Sequence, residues 1–230
     1  MNAPDATAER VARAWLSALV EPGTGSAIVA AVRRRGPVVV LDGLRSGDRS
    51  LDPEARIERR AEAVDGADLL RRAEEAEMRF LCPGDPEWPT GLETLDLAQD
   101  AGLKAAGPPP IGLWVRGEPD LAAATGRSVA VVGSRAATEY GVRVAADLAA
   151  DLATAGWTVV SGAAYGIDAA AHRGALAVGG VTVAVLACGL PRGLSRRLLG
   201  PGAPARRAVE RRVGKECQRS CSSRWWPHDY

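Results

Sequence analysis

Between residues 9 and 20, Val11, Ala14, Trp15 and Ala18 recur at i, i+3, i+4 and i+7, the stripe of an amphipathic helix. Glu21-Pro22-Gly23-Thr24-Gly25 breaks that pattern, and Ser26 is placed to cap a second helix running to about Arg35 and ending at Gly36-Pro37. Two short helices around a Pro-Gly-x-Gly turn fit either a helix-hairpin-helix, whose loop amides can contact DNA phosphate, or a plain helical module with a glycine-rich turn. Residues 54–79 are predicted as a further helix, charged over most of its surface above a thin apolar stripe. From Met78 the texture changes. A short strand meets Pro83, Pro86 and Pro89, which demand extended, turn-rich chain, and Pro108-Pro109-Pro110 leads into a second short strand in IGLWVRG, ended by Gly117.

The clearest pattern lies in residues 127–190. Ser128 to Val132 is a buried-strand run followed at once by Gly133-Ser134-Arg135. A helix is predicted from about Thr138, with Ala145, Leu148, Ala149 and Leu152 on one face and a stop at Gly156. Trp157 to Val160 reads as the next strand. The loop Ser161-Gly162-Ala163-Ala164-Tyr165-Gly166 then leads to Asp168, placed as the cap of a helix through Ala177. Gly179-Gly180 ends that helix, and Val181 to Ala187 reads as a third strand. Strand, helix, strand, helix, strand at this spacing predicts an α/β fold with a doubly wound, Rossmann-like parallel sheet, preceded by a small N-terminal helical domain. In such sheets ligands bind at the carboxyl ends of the strands, where both glycine-containing loops fall.

Composition narrows the chemistry. Hydrophobic residues at 47% and charged residues at 25% are ordinary for a globular protein. No apolar run is long enough for a membrane span, and the N-terminus lacks the basic-then-apolar pattern of a signal peptide, so a cytoplasmic location is the expectation. Cys82, Cys188, Cys217 and Cys221 form no metal-ligand pairing beyond a lone C-x3-C, so unpaired thiols and no metal are expected. Two histidines leave little from which to build a zinc site or a hydrolytic triad, and a lone helical residue such as His172 is more often structural than catalytic. The net charge of +1 hides an asymmetry: residues 191–230 hold ten Arg or Lys against three acids.

After a buried strand, a small-residue loop entering a helix exposes backbone amides at the positive end of a helix dipole, which suits a phosphate-sized anion. Gly133 permits close backbone approach, Ser134 adds a hydroxyl and Arg135 a planar charged fork, with Ser161, Gly162 and Gly166 alongside. Spacing alone leaves a plainer reading open, in which Gly133 only makes the turn and Arg135 is solvated. The sequence has no G-x-G-x-x-G, no G-x-x-x-x-G-K-[ST] and no G-x-S-x-G, so dinucleotide, nucleoside-triphosphate and serine-hydrolase fingerprints are all missing.

The stretches VAVVGSRAATEYG, LAADLATAGWTVVSGAAYGIDAAAHRGAL and GGVTVAVLACGL closely resemble the core of the DprA/Smf family of DNA-processing proteins, in order and at the right spacing. Upstream, D-P-E-W-P-T-G-L and PPPIGLWVRGEPDL are similar to two further family elements. The resemblance implies a cytoplasmic, homodimeric protein that binds and protects single-stranded DNA and helps load the RecA recombinase during natural transformation. That is a binding function with no catalytic residue and no cofactor. Carried over by position, it implies that Arg135 is a main phosphate contact and that Gly133, Ser134, Ser161 and Gly162 shape the pocket. Segment 127–190 has four basic residues (127, 135, 143, 173) and four acidic ones (139, 147, 151, 168), so affinity must come from local placement of Arg127, Arg135, Arg143 and Arg173, together with the loop amides.

The resemblance stops at Leu190. In the next nineteen residues, 17 of 19 are Pro, Arg, Gly, Leu or Ala, the pattern of a GC-rich gene read out of frame, and ERRVGKEC resembles a translated sequencing adapter. The expectation is therefore three segments: 1–77 helical, 78–190 an incomplete Rossmann-like DNA-binding domain, and 191–230 a non-native tail without strand or helix, leaving Val181–Ala187 with one edge open. The competing reading is a nucleotide hydrolase of the LOG/lysine-decarboxylase-like type, which shares sheet topology and glycine-rich loops but carries a P-G-G-x-G-T-x-x-E segment that this chain lacks.

Overall fold

A computed structural model of the chain describes residues 6–20, 26–53, 57, 64–101, 108–117, 120–186 and 208–210. The described residues divide into two compact units, one formed by residues up to Asp85 together with Thr90–Trp114, the other by Pro86–Pro89 and residues from Val115 onward.

The first unit is built on three helices, α1 (Ala6–Leu19), α2 (Ser26–Arg35) and α3 (Pro37–Arg45). The first two match the apolar periodicity; α3 was not foreseen. Pro37 does not only end α2. It occupies the first position of α3, where its missing N–H has no helical partner to lose, and Gly36 supplies the positive φ (83°) of the corner. Trp15 and Leu16 of α1, Ile28 and Val32 of α2, and Val40, Leu41 and Leu44 of α3 form one core, into which Ile111 also packs. The indole N–H of Trp15 donates to Val64 O at 2.9 Å, which satisfies the one polar atom of a fully buried ring.

Of the helix expected over 54–79, residues 64–65 and 76–79 are not helical. Residues 54–56 and 58–63 lie outside the described residues, and α4 spans Gly66–Glu75. Asp65 begins it by accepting from Ala67 N at 2.8 Å, and Glu77 leaves the helical region with φ 56° before strand β1 (Met78–Leu81). Phe80 of β1 packs on Trp114 with ring centroids 4.4 Å apart. Arg10 joins α1 to this strand, donating to Phe80 O and pairing with Asp85 at 2.8 Å. A short 3-10 turn (Thr90–Glu93) and α5 (Thr94–Asp100) follow, and strand β2 spans Leu113–Arg116.

In the second unit α6 (Leu121–Gly126), capped by Asp120, leads into the alternation read from the sequence: β3 (Ser128–Ala130), α7 (Glu139–Thr154), β4 (Thr158–Ser161), α8 (Ile167–Ala177) and β5 (Thr182–Leu186). β3 pairs in parallel with β4, and β4 with β5, in a register that aligns Ala130 with Val160 and Val160 with Val183. Both helices lie on one face of this sheet, where Val131, Val159, Ala149, Ala171 and Ala175 form the core. They run side by side in the same direction. A Cβ on Gly174 would stand 2.1 Å from Ala146 O, and one on Gly180 2.4 Å from Ala153 Cβ, so the chain segments touch at backbone distance. Their N-termini therefore open together at the carboxyl ends of β3 and β4.

Three expectations need correction here. Leu148 does not share the core face of α7, being 50% exposed; the helix instead buries Ala145 and Ala149. The segment 191–230 does contain a strand: β6 (Ala208–Glu210) lies parallel to β5, aligning Ala184 with Ala208 and Leu186 with Glu210. β5 thus has a neighbour on each side, since its free amides and carbonyls accept any extended segment of low bulk, and within the second unit β3 is the terminal strand. Ala130 and Val132 of that edge, and Val185 of β5, point away from the helices by strand alternation and are exposed.

His172 is a buried titratable group of this unit, 2% exposed. Its Nδ1 lies 2.6 Å from Thr182 Oγ1, and that hydroxyl gives its only proton to Val159 O at 2.9 Å. The ring must therefore donate through Nδ1–H, and Nε2 has no partner among the described residues. Burial lowers the pKa of His172 below 6.5, outweighing the opposite effect of Asp168. In the unfolded chain the imidazole takes up a proton near pH 6.5, whereas the folded one resists until lower pH. Stability from this group is therefore complete above about pH 6.5 and is lost as pH falls toward the folded value, with a slope of at most about 1.4 kcal/mol per pH unit. Urea midpoints measured from pH 7.5 down to 5 are expected to show this fall in the native chain and to lose it in His172→Asn; an equal slope in the variant would assign it to other groups.

Candidate nucleic-acid interface

Two loops meet at the carboxyl end of the sheet. The first, residues 131–138, leaves β3 and enters α7 through Thr138, whose hydroxyl accepts from Gly141 N at 3.2 Å. The second, residues 162–166, leaves β4 and enters α8 through Gly166. Gly166 is held at φ 82°, ψ −123°, a region that only glycine occupies readily, and a Cβ there would lie 2.2 Å from Ser134 O. A Cβ on Gly133 would in turn lie 2.7 Å from Ile167 Cγ1. The loops are therefore interlocked, with Ile167 N donating to Ser134 O at 3.2 Å.

Asp168 fastens them. It is not the cap of α8, as its sequence position had implied; Gly166 is, and Asp168 is the second helical residue, 5% exposed. Its Oδ1 accepts from Gly133 N at 3.2 Å, and its Oδ2 from Gly162 N at 3.2 Å and Ala164 N at 3.4 Å. The left-handed turn at Ala163 (φ 55°), which costs a non-glycine residue about 1–2 kcal/mol, belongs to the same arrangement. The consequence for anion binding is direct. The loops were expected to offer backbone amides to a phosphate, but those of Gly133, Gly162 and Ala164 are already given to an internal carboxylate.

The expected site residues thus fall into three groups. Ser161 is 2% exposed and donates its hydroxyl to Val131 O at 2.6 Å, so it ties β4 to β3 beneath the loops, and with Gly133 and Gly162 it forms the scaffold. Ser134 and Arg135 are exposed at the front of the first loop. Arg143 and Arg173 are exposed on α7 and α8, about 6 and 9 Å behind the helix starts at 1.5 Å per residue. Arg127 does not join them. It precedes β3 at the opposite end of the sheet, about 20 Å of extended strand from Gly133, and its guanidinium stacks 4.8 Å from the ring centroid of Trp157. Strand polarity was the signal that could have excluded it.

Two residues that the sequence reading left without a role also stand here. Tyr140, second residue of α7, is 78% exposed, and Tyr165, just before Gly166, is 61% exposed. Among the described residues no group of three or more His, Cys, Asp or Glu is placed to hold a metal ion, and none of the helices is long and apolar enough to cross a membrane.

Parallel strands with two helix-entry loops at their carboxyl ends, one of them carrying an exposed arginine, define an α/β domain of the kind in which ligands meet the carboxyl ends of the strands. The chain belongs to the DNA recombination-mediator protein A family, whose profile matches residues 79–197, past the Leu190 where the motif resemblance ends. It is 43% identical over 180 residues, 77% of this chain, to a protein of Mycobacterium tuberculosis described as a DNA processing protein DprA. It is also 49% identical over 81 residues, 35% of this chain and 21% of the relative, to protein Smf of Escherichia coli. The X-ray structure of DNA processing protein A from Streptococcus pneumoniae shares the fold, with a TM-score of 0.56 at 22% identity over 89% of this chain and 67% of that one. The chain spans about half the length of the Mycobacterium tuberculosis relative, 46%.

If Asp168 holds the loops, its loss should be felt in stability. Asp168→Asn keeps the shape but turns an N–H toward at least one of the three donors, and Asp168→Ala leaves all three unpaired. Each is expected to lower unfolding free energy by about 2–4 kcal/mol in urea titration with an unchanged m-value. A loss below about 0.5 kcal/mol, the usual size of a surface change, would show that the loops hold together without it.

Proposed function

We propose that this chain binds single-stranded DNA with little sequence preference, Arg135 and Ser134 contacting phosphate at the joined loops, with Arg143 and Arg173 on the flanking helices tracking the strand. The observation that carries the reading is the exposure of Arg135 on a loop whose backbone is fixed by Gly166, Ile167 and Asp168. A guanidinium on a fixed loop beside two helix N-termini is a directed phosphate contact rather than diffuse charge. Bulk attraction does not supply the affinity, since basic and acidic residues balance within 127–190.

Membership of the family, and the relatives described as DNA processing proteins, support the same ligand class. On this reading the cellular role is that of the DprA/Smf family as a whole: a cytoplasmic, homodimeric protein that shields single strands, hands them to RecA in transformation and recombination, and performs no catalysis. The segment 191–230 is then not needed for the contact.

The test is fluorescence anisotropy of a labelled oligothymidine with the full 230-residue chain across a salt series. Arg135→Ala is expected to weaken binding about tenfold and to flatten the slope of log affinity against log salt by about 0.7, one phosphate contact on single-stranded DNA. Unchanged affinity and slope would remove Arg135 from the site.

A further inference from the structure

The phosphate reading leaves the bases without a partner, and two side chains at the same loops are suited to them. Every other aromatic residue among those described is buried or half-buried: Trp15, Phe80, Trp88 and Trp114 are in cores, and Trp157 lies under Arg127. Tyr140 and Tyr165, at 78% and 61% exposed, are the two that face solvent, and both sit at the carboxyl end of the sheet. A single exposed aromatic needs no explanation. Two at adjoining helix entries, one in the first turn of α7 and one on the loop before α8, in a protein that buries or half-buries the rest of its described aromatic rings, are a placed feature.

Their backbones are fixed to the loop that carries Arg135. Tyr165 precedes Gly166, where a Cβ would lie 2.7 Å from Arg135 O, so it is one residue from direct contact with the Arg135 backbone. Tyr140 lies between the cap Thr138 and Gly141, whose N–H that cap receives, and Gly141 abuts Ile167, the first residue of α8, with Cδ1 3.5 Å from a Cβ placed there. Both exposed rings are thus carried on backbone that packs against the loop bearing Arg135 or against the residue that abuts it.

We infer that Tyr140 and Tyr165 are stacking platforms for the bases of a single-stranded nucleic acid whose phosphates Arg135 holds; the inference rests on the phosphate reading above. Stacking on a tyrosine face takes any base, because every base presents a π-face, and it is open only to unpaired strands, whose bases are free to splay. An arginine with two aromatic platforms near its loop would then read strandedness rather than sequence, with charge fixing the backbone and the rings selecting exposed bases.

The experiment compares an oligothymidine with a strand of equal length and phosphate number in which every base is absent, using the full chain. Wild-type protein is expected to bind the base-bearing strand more tightly. Tyr140→Leu and Tyr165→Leu are each expected to weaken that binding about tenfold while leaving the abasic strand unaffected and the salt slope unchanged, since no charge is lost. Tyr140→Phe and Tyr165→Phe, which keep the ring, are expected to bind as wild type. Equal affinity of wild-type protein for both strands, or leucine variants that bind both strands as tightly as wild type, would overturn the inference while an effect of Arg135→Ala left the phosphate reading standing. Failure of wild-type protein to bind either strand would overturn both.

Discussion

A buried carboxylate that accepts amide protons from two separate loops is the constraint on which the rest of the candidate site depends. Asp168 reaches Gly133 on one loop and Gly162 and Ala164 on the other, and it does so from the first turn of α8, where the helix dipole favours negative charge. A carboxylate withdrawn from water costs several kcal/mol unless its lone pairs are met, and here three amides meet them. The arrangement fixes both loops before any ligand arrives. It also withdraws from the ligand the amides that a helix-entry loop ordinarily offers. On the function proposed here, recognition then falls to side chains in front of that fixed backbone, Ser134 and Arg135 first among them.

On that proposal local charge placement matters more than net charge. Basic and acidic residues balance across 127–190, so that segment sets up no broad positive field of its own. A guanidinium on an immobile loop loses little freedom when it meets a phosphate, so a single well-held arginine does more than several mobile ones. Membership of the DNA recombination-mediator protein A family fits a domain built in this way, and the 46% coverage of a relative's length leaves room for surfaces beyond those described.

Much of the second unit was legible because its signals are local. The apolar run Val129 to Val132 gives way at once to Gly133, strand, loop and helix succeed one another within a few residues, and Thr138, Gly156 and Gly179 punctuate them where expected. What was not legible depends on distance in sequence. The tie from Asp168 to Gly133 spans 35 residues, and nothing at position 168 distinguishes a carboxylate that caps its own helix from one that fastens another loop. Arg127 illustrates the converse: counted by proximity to the Gly133-Ser134-Arg135 motif it belonged to the site, whereas an extended strand carries it to the far end of the sheet. The strand Ala208–Glu210 was hidden because pairing with β5 asks little of the sequence beyond extended backbone. Pro37 was read as an end when its chemistry also permits a beginning.

The most direct measurement of the central claim is an amide proton–nitrogen correlation spectrum of the full chain titrated with a short oligothymidine. The account requires the amides of Gly133, Gly162 and Ala164 to be slow in hydrogen exchange in the free protein and to stay so on binding, with small shifts, while the Arg135 side-chain Nε–H moves strongly. Large shifts and lost protection at Gly133 and Gly162 when DNA is added would mean that Asp168 releases them to the phosphate, and the fixed-loop account would fail.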